Sequence, residues 1–258
     1  MKQNELVVSL WCDFEPFGKE WGNWSCRNFW QSAYDLGYPQ TSLNQARHFM
    51  TVLDRYNIPC TWGIFSCEPF FQWFDFLSDF FKIIDNKNDC LTIHPHWVDW
   101  KEKWERCRIP SPYHITKSLE PLKVLLEHKN YCNLIRSGWN TQISSDGRLL
   151  MDIYKEKGFY GIGDIPKKNF EYKFRDDFLL LPYDSDSMDE CKSKWVQNFT
   201  YAINRAKRSG AIFSWWFHIH EVHPLVMNDL LSWSYGEAKE HGVDLKFMNV
   251  NEICRYLK

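Results

Sequence analysis

The chain has 258 residues and a formal net charge of −2 at pH 7, with acidic and basic residues interspersed along it. This length suits one α/β domain over residues 1–258 and can bury a core that is stable without disulfides. The balanced charge predicts neither a nucleic acid nor an anionic membrane as a partner, and no stretch has the apolar length of a membrane span.

Short apolar runs alternate with helical patterns along the chain, which predicts βα units and a parallel sheet. Most of these runs are apolar on both faces, as buried parallel strands are. Their number favours closure, so we predict an α/β fold in the form of an irregular (β/α)7–8 barrel, similar to a TIM barrel. The predicted strands are Leu6–Trp11, Cys60–Phe65, Cys90–His94, Cys132–Arg136, Tyr160–Asp164, Phe178–Tyr183, Ala211–Phe217 and Val243–Met248.

Three of the predicted helices carry a residue that marks their start. Ser42 and Asp146 are predicted to cap the helices that follow the first and fourth strands. Pro224 is predicted to open a helix that runs towards Gly242, because proline is favoured at the first helical position.

The first polar cluster, Cys12–Pro16, follows the first predicted strand. In an extended segment Asp13 and Glu15 point to the same side, since side chains repeat with a period of two. Two carboxylates on one side suit a metal ion together with a general base. The structural alternative is a cap on the turn or helix that follows the strand.

The second polar cluster holds His94 and His96 at the end of the third predicted strand, with Asp99 beyond them. Both imidazoles share a face if the strand continues. Two imidazoles with a carboxylate suit Zn, Co, Ni or Fe. The alternative is that one of them is a buried structural histidine.

Two further clusters follow later strands. Arg136 leaves the fourth predicted strand and needs an anionic partner, for which Asp13 is a natural candidate. The strand that ends near residue 217 is followed by His218, His220, Glu221 and His223. Such a density of titratable side chains favours acid–base or metal chemistry over a purely structural role.

Aromatic residues are abundant, with 14 tryptophans in the chain. Indole and phenol rings stack on the apolar faces of sugars, so the excess suggests a carbohydrate ligand, although such rings also fill cores. Long irregular segments follow the first and third predicted strands, and segments of this kind are usually functional. We predict the substrate-binding residues to be Trp24, Trp97, Trp139 and His220.

Nine cysteines occur, and none forms a C-x-x-C pair. Several lie in apolar, strand-like runs, where a thiol behaves as a small buried hydrophobic group. The N-terminal apolar run is shorter than the core of a signal peptide. These features predict a reducing compartment, and therefore the cytoplasm.

Taken in order, the polar clusters resemble the motifs of the polysaccharide deacetylase superfamily, of the NodB-homology or carbohydrate esterase family 4 type. Asp13-Phe14-Glu15 resembles the Asp-x-Glu form of its first motif. I-R-S-G-W-N resembles the third motif, and F-H-I-H-E-V-H-P resembles the last. The family's second motif is H-x-x-x-H, whereas here Val98 occupies the second histidine position and His96 lies between.

The resemblance implies a role for each matched residue. Asp13 would be the general base, Arg136 would keep it ionised and oriented, and His218 would be the general acid, with His220 as the alternative acid. The cofactor would be a divalent metal ion, zinc first, with cobalt, nickel or iron as alternatives. Its protein ligands would be Glu15, His94 and His96.

The resemblance also implies an activity, namely metal-dependent hydrolysis of an N-acetyl group on an amino sugar. The expected substrate is a carbohydrate or glycan precursor in the cytosol, linked to a lipid or a nucleotide. One alternative is another metal-dependent amidohydrolase on the same scaffold, and the other is a catalytically degenerate carbohydrate-binding barrel. The sequence leaves the sugar, the metal and the oligomeric state open.

Overall fold

The architecture was derived from a computed structural model. It describes residues 1–14, 38–66, 74–84, 88–99, 105–106, 109–119, 125–136, 143–166, 173–175, 178–183, 192–219 and 222–258.

Strands occur at every position where the sequence predicts one. The strands Glu5–Phe14, Cys60–Ser66 and Cys90–Pro95 are buried along their whole length, as the apolar character of most of their residues requires. The strands of the described residues are β1 (Glu5–Phe14), β2 (Cys60–Ser66), β3 (Cys90–Pro95), β4 (Val98–Asp99), β5 (Glu105–Arg106), β6 (Tyr131–Ile135), β7 (Gly161–Pro166), β8 (Lys173–Arg175), β9 (Phe178–Tyr183), β10 (Ala211–His218) and β11 (Asp244–Phe247).

The main sheet has the strand order β10-β1-β2-β3-β6-β7-β9-β8, and β11 also pairs with β1. All neighbours pair in parallel except β8 and β9, which are antiparallel. β10 also lies against β9, so the sheet curls until its two ends approach each other, without a ladder between them in the described residues. The prediction of an α/β fold with an irregular (β/α)7–8 barrel is therefore confirmed.

Helices separate most of the parallel strands, as βα units require. Those of the described residues are α1 (Tyr38–Arg55), α2 (Phe74–Ile84), α3 (Pro112–Ser118), α4 (Leu150–Glu156), α5 (Lys192–Ser209), α6 (Pro224–Glu240) and α7 (Val250–Leu257). No helix among these residues is long and apolar enough to cross a membrane.

One predicted helix start is confirmed and two are wrong. Pro224 opens α6, and Gly242 follows the end of that helix with a φ of 66°. Ser42 is buried inside α1, because the helix begins four residues earlier at Tyr38. Asp146 does not cap α4, since it accepts hydrogen bonds from Ser144 Oγ and Arg148 N in the preceding turn.

Side chains of β1 alternate between two hydrophobic clusters. Leu6, Val8 and Leu10 belong to the larger cluster, which lies between the sheet and the helices. Val7 and Trp11 belong to a smaller cluster with residues of β3, β6, β9, β10 and α7. Elements this far apart in strand order meet only on the inner side of the curled sheet, so the smaller cluster fills the barrel.

Helix α7 closes the end of the barrel at which the strands begin. Val250, Ile253 and Cys254 of this helix contribute to the inner cluster, and Val250 N donates a 3.0 Å hydrogen bond to Thr61 Oγ1 at the start of β2. The helix is capped by Asn249, whose side chain accepts from Glu252 N at 2.9 Å. The opposite end, where the strands finish, is the end at which functional sites of such barrels form.

Glu5 links β1 to β11 and α7, the last two elements of the chain. Its carboxylate accepts hydrogen bonds from Lys246 Nζ, Tyr256 OH and Lys2 N. Burial alone would raise the pKa of Glu5, but these donors outweigh burial and lower the pKa from 4.5 to about 2. The carboxylate is therefore a charged, structural link between the two ends of the chain.

The five cysteines of the described residues are buried, and none of the five is in a disulfide. Burial raises the pKa of the Cys60 and Cys90 thiols well above the ordinary value, so both remain protonated and pack as small hydrophobic groups.

Candidate functional site

Strand register brings three of the predicted site residues to one end of the barrel. Asp13 lies beside His218 of β10 on one side and beside Gly63 of β2 on the other. His94 follows one strand further along, paired with Phe65. Because the strands are parallel, their carboxyl ends meet at the same edge, and the polar side chains that follow them converge.

Asp13 is the buried centre of this group. Its side chain has no exposed surface, and its Oδ2 atom forms an ion pair with Nη1 of Arg136, which is itself 4% exposed. The guanidinium provides the positive charge that a buried carboxylate requires. The predicted pairing of Arg136 with Asp13 thus spans the barrel from β1 to the end of β6.

Two histidines also face Asp13 Oδ2. His94 Nε2 lies 3.7 Å from this oxygen, and His218 Nε2 lies 4.0 Å from it. The His94 side chain is 3% exposed, whereas that of His218 is 20% exposed. The His218 side of the group is therefore the more open to solvent and is suited to meet a substrate.

The His94 ring has a defined protonation at one nitrogen. Its Nδ1 lies 2.9 Å from the carbonyl oxygen of Arg136, and a carbonyl only accepts, so Nδ1 carries the proton. In the neutral ring, Nε2 then presents a lone pair. This arrangement is typical of metal-binding histidines, which donate their second nitrogen to a backbone carbonyl or a carboxylate.

His96 lies two residues after His94, and the two imidazole rings are close to each other. The two Nε2 atoms are 2.8 Å apart, and the ring planes are almost perpendicular, at 80°. The ring of His96 packs at 4.9 Å on Phe65, and His96 N donates to Ser66 O at 3.0 Å. At this separation either one Nε2 donates a proton to the other, or both lone pairs face a common cation.

Gly63 forms the floor beneath Asp13. A Cβ atom at this position would lie 2.9 Å from Asp13 Oδ1, 3.0 Å from Trp11 Nε1 and 3.3 Å from the Cβ of His94. The first of these distances is shorter than real Cβ contacts, so the carboxylate occupies the space that any side chain here would need. Glycine is required at this position by close packing rather than by an unusual backbone conformation.

Trp216 forms one wall of the site. The Cζ atom of Arg136 lies 4.1 Å from the centroid of its ring, and the ring of His218 lies 5.1 Å away at an interplanar angle of 88°. One indole thus contacts both the residue paired with Asp13 and the most exposed histidine of the site.

The remaining predicted residues differ in what the structure says of them. Trp97 is 1% exposed and belongs to the larger hydrophobic cluster, between the sheet and the helices. Its position therefore gives no support to a role as a sugar platform. His223 caps α6, with Nδ1 accepting from Leu225 N at 3.2 Å. Outside the described residues lie Glu15, Trp24, Trp139, His220 and Glu221.

Among the described residues, no group of three or more His, Cys, Asp or Glu side chains is arranged to hold a metal ion. His94 and His96 supply two nitrogens that approach each other, and a third protein ligand would come from elsewhere. The predicted ligand Glu15 follows β1 by one residue.

Two residues of the site, Gly63 and Trp216, were not predicted from the sequence. Gly63 stands inside a strand between Trp62 and Ile64, and an isolated glycine in a strand often marks a close approach of another group. Trp216 lies two residues before His218, so the period of two in a strand places both on one face. Both patterns can be recognised in the sequence once the positions of Asp13 and His218 are known.

Comparison with solved structures finds proteins of the same fold. Puue allantoinase matches with a TM-score of 0.61 and 15% identity, over 98% of this chain and 90% of that one. A probable polysaccharide deacetylase from Pseudomonas aeruginosa PAO1 matches with a TM-score of 0.59 and 16% identity, over the same shares. A protein described as a polysaccharide deacetylase from Mycobacterium smegmatis matches with a TM-score of 0.56 and 10% identity, over 99% and 91%.

No protein-family model matches the sequence, and no curated protein is similar to it. The resemblance to the polysaccharide deacetylases that the sequence motifs indicate is thus confirmed in the fold, over nearly the whole chain.

Proposed function

We propose that this protein is a hydrolase of carbon–nitrogen amide bonds that removes the N-acetyl group from an amino sugar. The observation that carries the proposal is the position of Asp13, a fully buried carboxylate that contacts Arg136 and faces two histidines at the carboxyl ends of parallel strands. The same fold occurs in proteins described as polysaccharide deacetylases.

The geometry supplies the two proton transfers that amide hydrolysis needs. Asp13 takes a proton from the attacking water while the oxygen–carbon bond forms at the acetyl carbonyl. The carbon–nitrogen bond then breaks, and His218 gives a proton to the departing amine, so the products are acetate and a free amino sugar. With His218 Nε2 only 4.0 Å from Asp13 Oδ2, both groups reach one reacting centre. Such acid–base assistance contributes about 10²–10⁴-fold in rate.

Arg136 acts on this chemistry through Asp13. The guanidinium holds the carboxylate at Oδ2 and compensates the charge of a side chain that has no exposed surface. The carboxylate is therefore held in one orientation before the substrate arrives. This arrangement lowers the reorganisation needed during the reaction.

His94 and His96 fit a divalent metal ion as two of its ligands. Imidazole nitrogens bound to one zinc ion lie about 2.0–2.1 Å from it, so two of them lie within roughly 4 Å of each other. The observed separation of 2.8 Å between the Nε2 atoms meets this requirement, and the bond from His94 Nδ1 to a backbone carbonyl adds the expected support. We propose Glu15 as the third ligand, and zinc, cobalt, nickel or iron as the ion. When bound, the ion would polarise the acetyl carbonyl and lower the pKa of water.

The substrate is proposed to be a glycan precursor in the cytoplasm, linked to a lipid or a nucleotide. The cysteines of the described residues are buried and are not in disulfides, which supports a reducing compartment. The tryptophans proposed to bind the sugar are Trp24 and Trp139, together with His220, which follows the proposed acid by two residues in the sequence.

A second candidate function is hydrolysis of a non-sugar amide on the same scaffold. It is favoured by the likeness of the fold to an allantoinase over nearly the whole chain. Both reactions would use Asp13 and Arg136 in the same roles, so the two candidates differ in the substrate and not in the proposed base.

The test supplies the purified protein with N-acetylated amino sugars in free, oligomeric and nucleotide-linked forms, and with allantoin in parallel. Each reaction is run with zinc, cobalt, nickel or iron and with a chelator, and free amine and acetate are quantified. Release of both products from a sugar, lost in the Asp13→Asn variant, supports the proposal. Consumption of allantoin alone would favour the second candidate.

A further inference from the structure

Trp216 lies on the inner face of β10, between the catalytic end of the barrel and its apolar interior. It pairs in register with Trp11 of β1, two residues before the pair formed by Asp13 and His218. The ring of Trp216 packs against the smaller hydrophobic cluster, which fills the barrel, and the side chain is half-buried. The indole therefore separates the polar site from the apolar core.

One contact of this ring is with Arg136. The Cζ atom lies 4.1 Å from the ring centroid, which is a cation–π distance. A guanidinium is planar, so stacking on a flat ring leaves the N–H groups at its edge free to reach a carboxylate. In this structure that edge meets Asp13 through Nη1. The ring thus limits where the guanidinium can lie, and the guanidinium in turn orients the carboxylate of Asp13.

A second contact of the same ring is with His218. The two rings are 5.1 Å apart and nearly perpendicular, at 88°. They belong to residues two apart on one strand face, so the contact is fixed by the backbone of β10. Rotation of the imidazole about its side-chain bonds is limited by the indole on one side. This contact helps to keep Nε2 within 4.0 Å of Asp13.

We propose that Trp216 is a positioning residue of the reaction: one indole ring holds Arg136 and His218 at the same time and so fixes both around Asp13. This inference rests on the function proposed above, because it assigns Trp216 to the geometry of that base and that acid. The ring acts through its flat π surface and touches neither the base nor the bond that breaks.

This role predicts which substitutions are tolerated. Trp216→Phe keeps a flat ring for stacking and should retain kcat within about fivefold. Trp216→Leu fills part of the space without a π surface, so Arg136 and His218 lose their common support. Misplacement of catalytic groups by about 1 Å costs roughly 10²-fold in rate, so we expect a 10- to 100-fold loss in kcat with KM nearly unchanged.

The control is Trp233→Leu on α6. Trp233 is also a partly buried tryptophan, and it packs edge-on against Phe199 at 5.6 Å on the outer side of the barrel. The same loss of a ring there should lower thermal stability while leaving kcat unchanged. If Trp216→Leu does not fold, Trp216→Met takes its place, since methionine has a similar length and no ring.

A second readout is independent of activity. Nitrogen-15 NMR of the arginine side chains reports the rotation of each guanidinium, and the Arg136→Lys variant identifies the Arg136 signal. In the wild type and in Trp216→Phe this group should rotate slowly, whereas in Trp216→Leu it should rotate quickly.

These two readouts separate the inference from the proposed function. If the wild type hydrolyses no amide, the proposed function fails, and the Arg136 signal still decides whether Trp216 positions the guanidinium. Wild-type kcat in Trp216→Leu, or an unchanged Arg136 signal in that variant, would overturn the inference. A loss in Trp216→Phe as large as in Trp216→Leu would also overturn it, because the indole N–H and not the stacked surface would then be required.

Discussion

Gly63→Ala adds one methyl group beneath Asp13, and its effect follows from the distances to two neighbouring atoms. The new Cβ would lie 2.9 Å from Asp13 Oδ1 and 3.0 Å from Trp11 Nε1, whereas ordinary contacts begin at 3.4 Å. The carboxylate must therefore retreat by about 0.5 Å, because the backbone of β2 is held in the sheet on both sides. The retreat displaces Asp13 from the position that the proposed reaction requires.

The expected loss is about tenfold or more in kcat/KM, since a misplacement of 1 Å can cost roughly 10²-fold. The overpacked methyl group should also lower the free energy of unfolding by about 1–3 kcal/mol. Amide hydrolysis and chemical denaturation, measured on the same preparation, separate the two effects.

The matched control is Gly236→Ala. Gly236 lies on α6, and a Cβ there meets nothing within 4 Å. This substitution should raise stability by about 0.4–1 kcal/mol, because alanine is the better helix former, and it should leave kcat/KM unchanged. If Gly63→Ala keeps wild-type kcat/KM while folded, the packing of Asp13 on Gly63 has no part in activity and the reasoning is refuted.

Three further predictions concern the ion pairs and the histidines. Glu5→Gln should lower the free energy of unfolding by about 1–2 kcal/mol at pH 7, less than the full linkage value because its lysine partner is partly in solvent. The pKa of Glu5 is lowered to about 2 in the folded protein, so this stabilisation is present above pH 4.5 and is lost as the pH falls towards 2; a difference between the two proteins that persists at pH 2 would contradict it. Arg136→Met should destabilise by about 3–5 kcal/mol by leaving Asp13 unpaired, and adding Asp13→Asn should restore part of the loss in denaturant titrations; no restoration would show that the cost is one of packing alone. His94→Ala should lose bound metal, whereas His218→Ala should keep it and lose roughly 10²-fold in turnover, measured by metal analysis and amine release; loss of metal in His218→Ala would make that residue a ligand.

The order of strands and helices could be predicted because each is encoded locally. Apolar runs with turn residues between them appear as strands at all eight predicted positions, and Pro224 opens a helix as its fixed φ requires. Helix starts at Ser42 and Asp146 could not be read in the same way. A short polar side chain has several partners within reach, and Asp146 binds its own turn instead of a helix.

The central residues of the site were also predicted, because each stands at or next to the carboxyl end of a strand. Asp13, Arg136, His94 and His218 need only the rule that parallel strands present their carboxyl ends at one edge. No comparable rule predicts which side chains meet across the barrel. The stacking of Arg136 on Trp216 joins β6 to β10, which are not neighbours in the sheet, so only the closed structure reveals it.

The most direct test of the proposed chemistry is a product balance, in which acetate and free amine released from an N-acetylated amino sugar are quantified for the wild type and for Asp13→Asn. The proposal predicts equal amounts of the two products from the wild type. Asp13→Asn should fold and should release both at least about 10²-fold more slowly, because it retains the shape of the side chain and loses the base. Equal rates in the two proteins, or no release by the wild type from any N-acetylated sugar with each metal ion supplied, would contradict it.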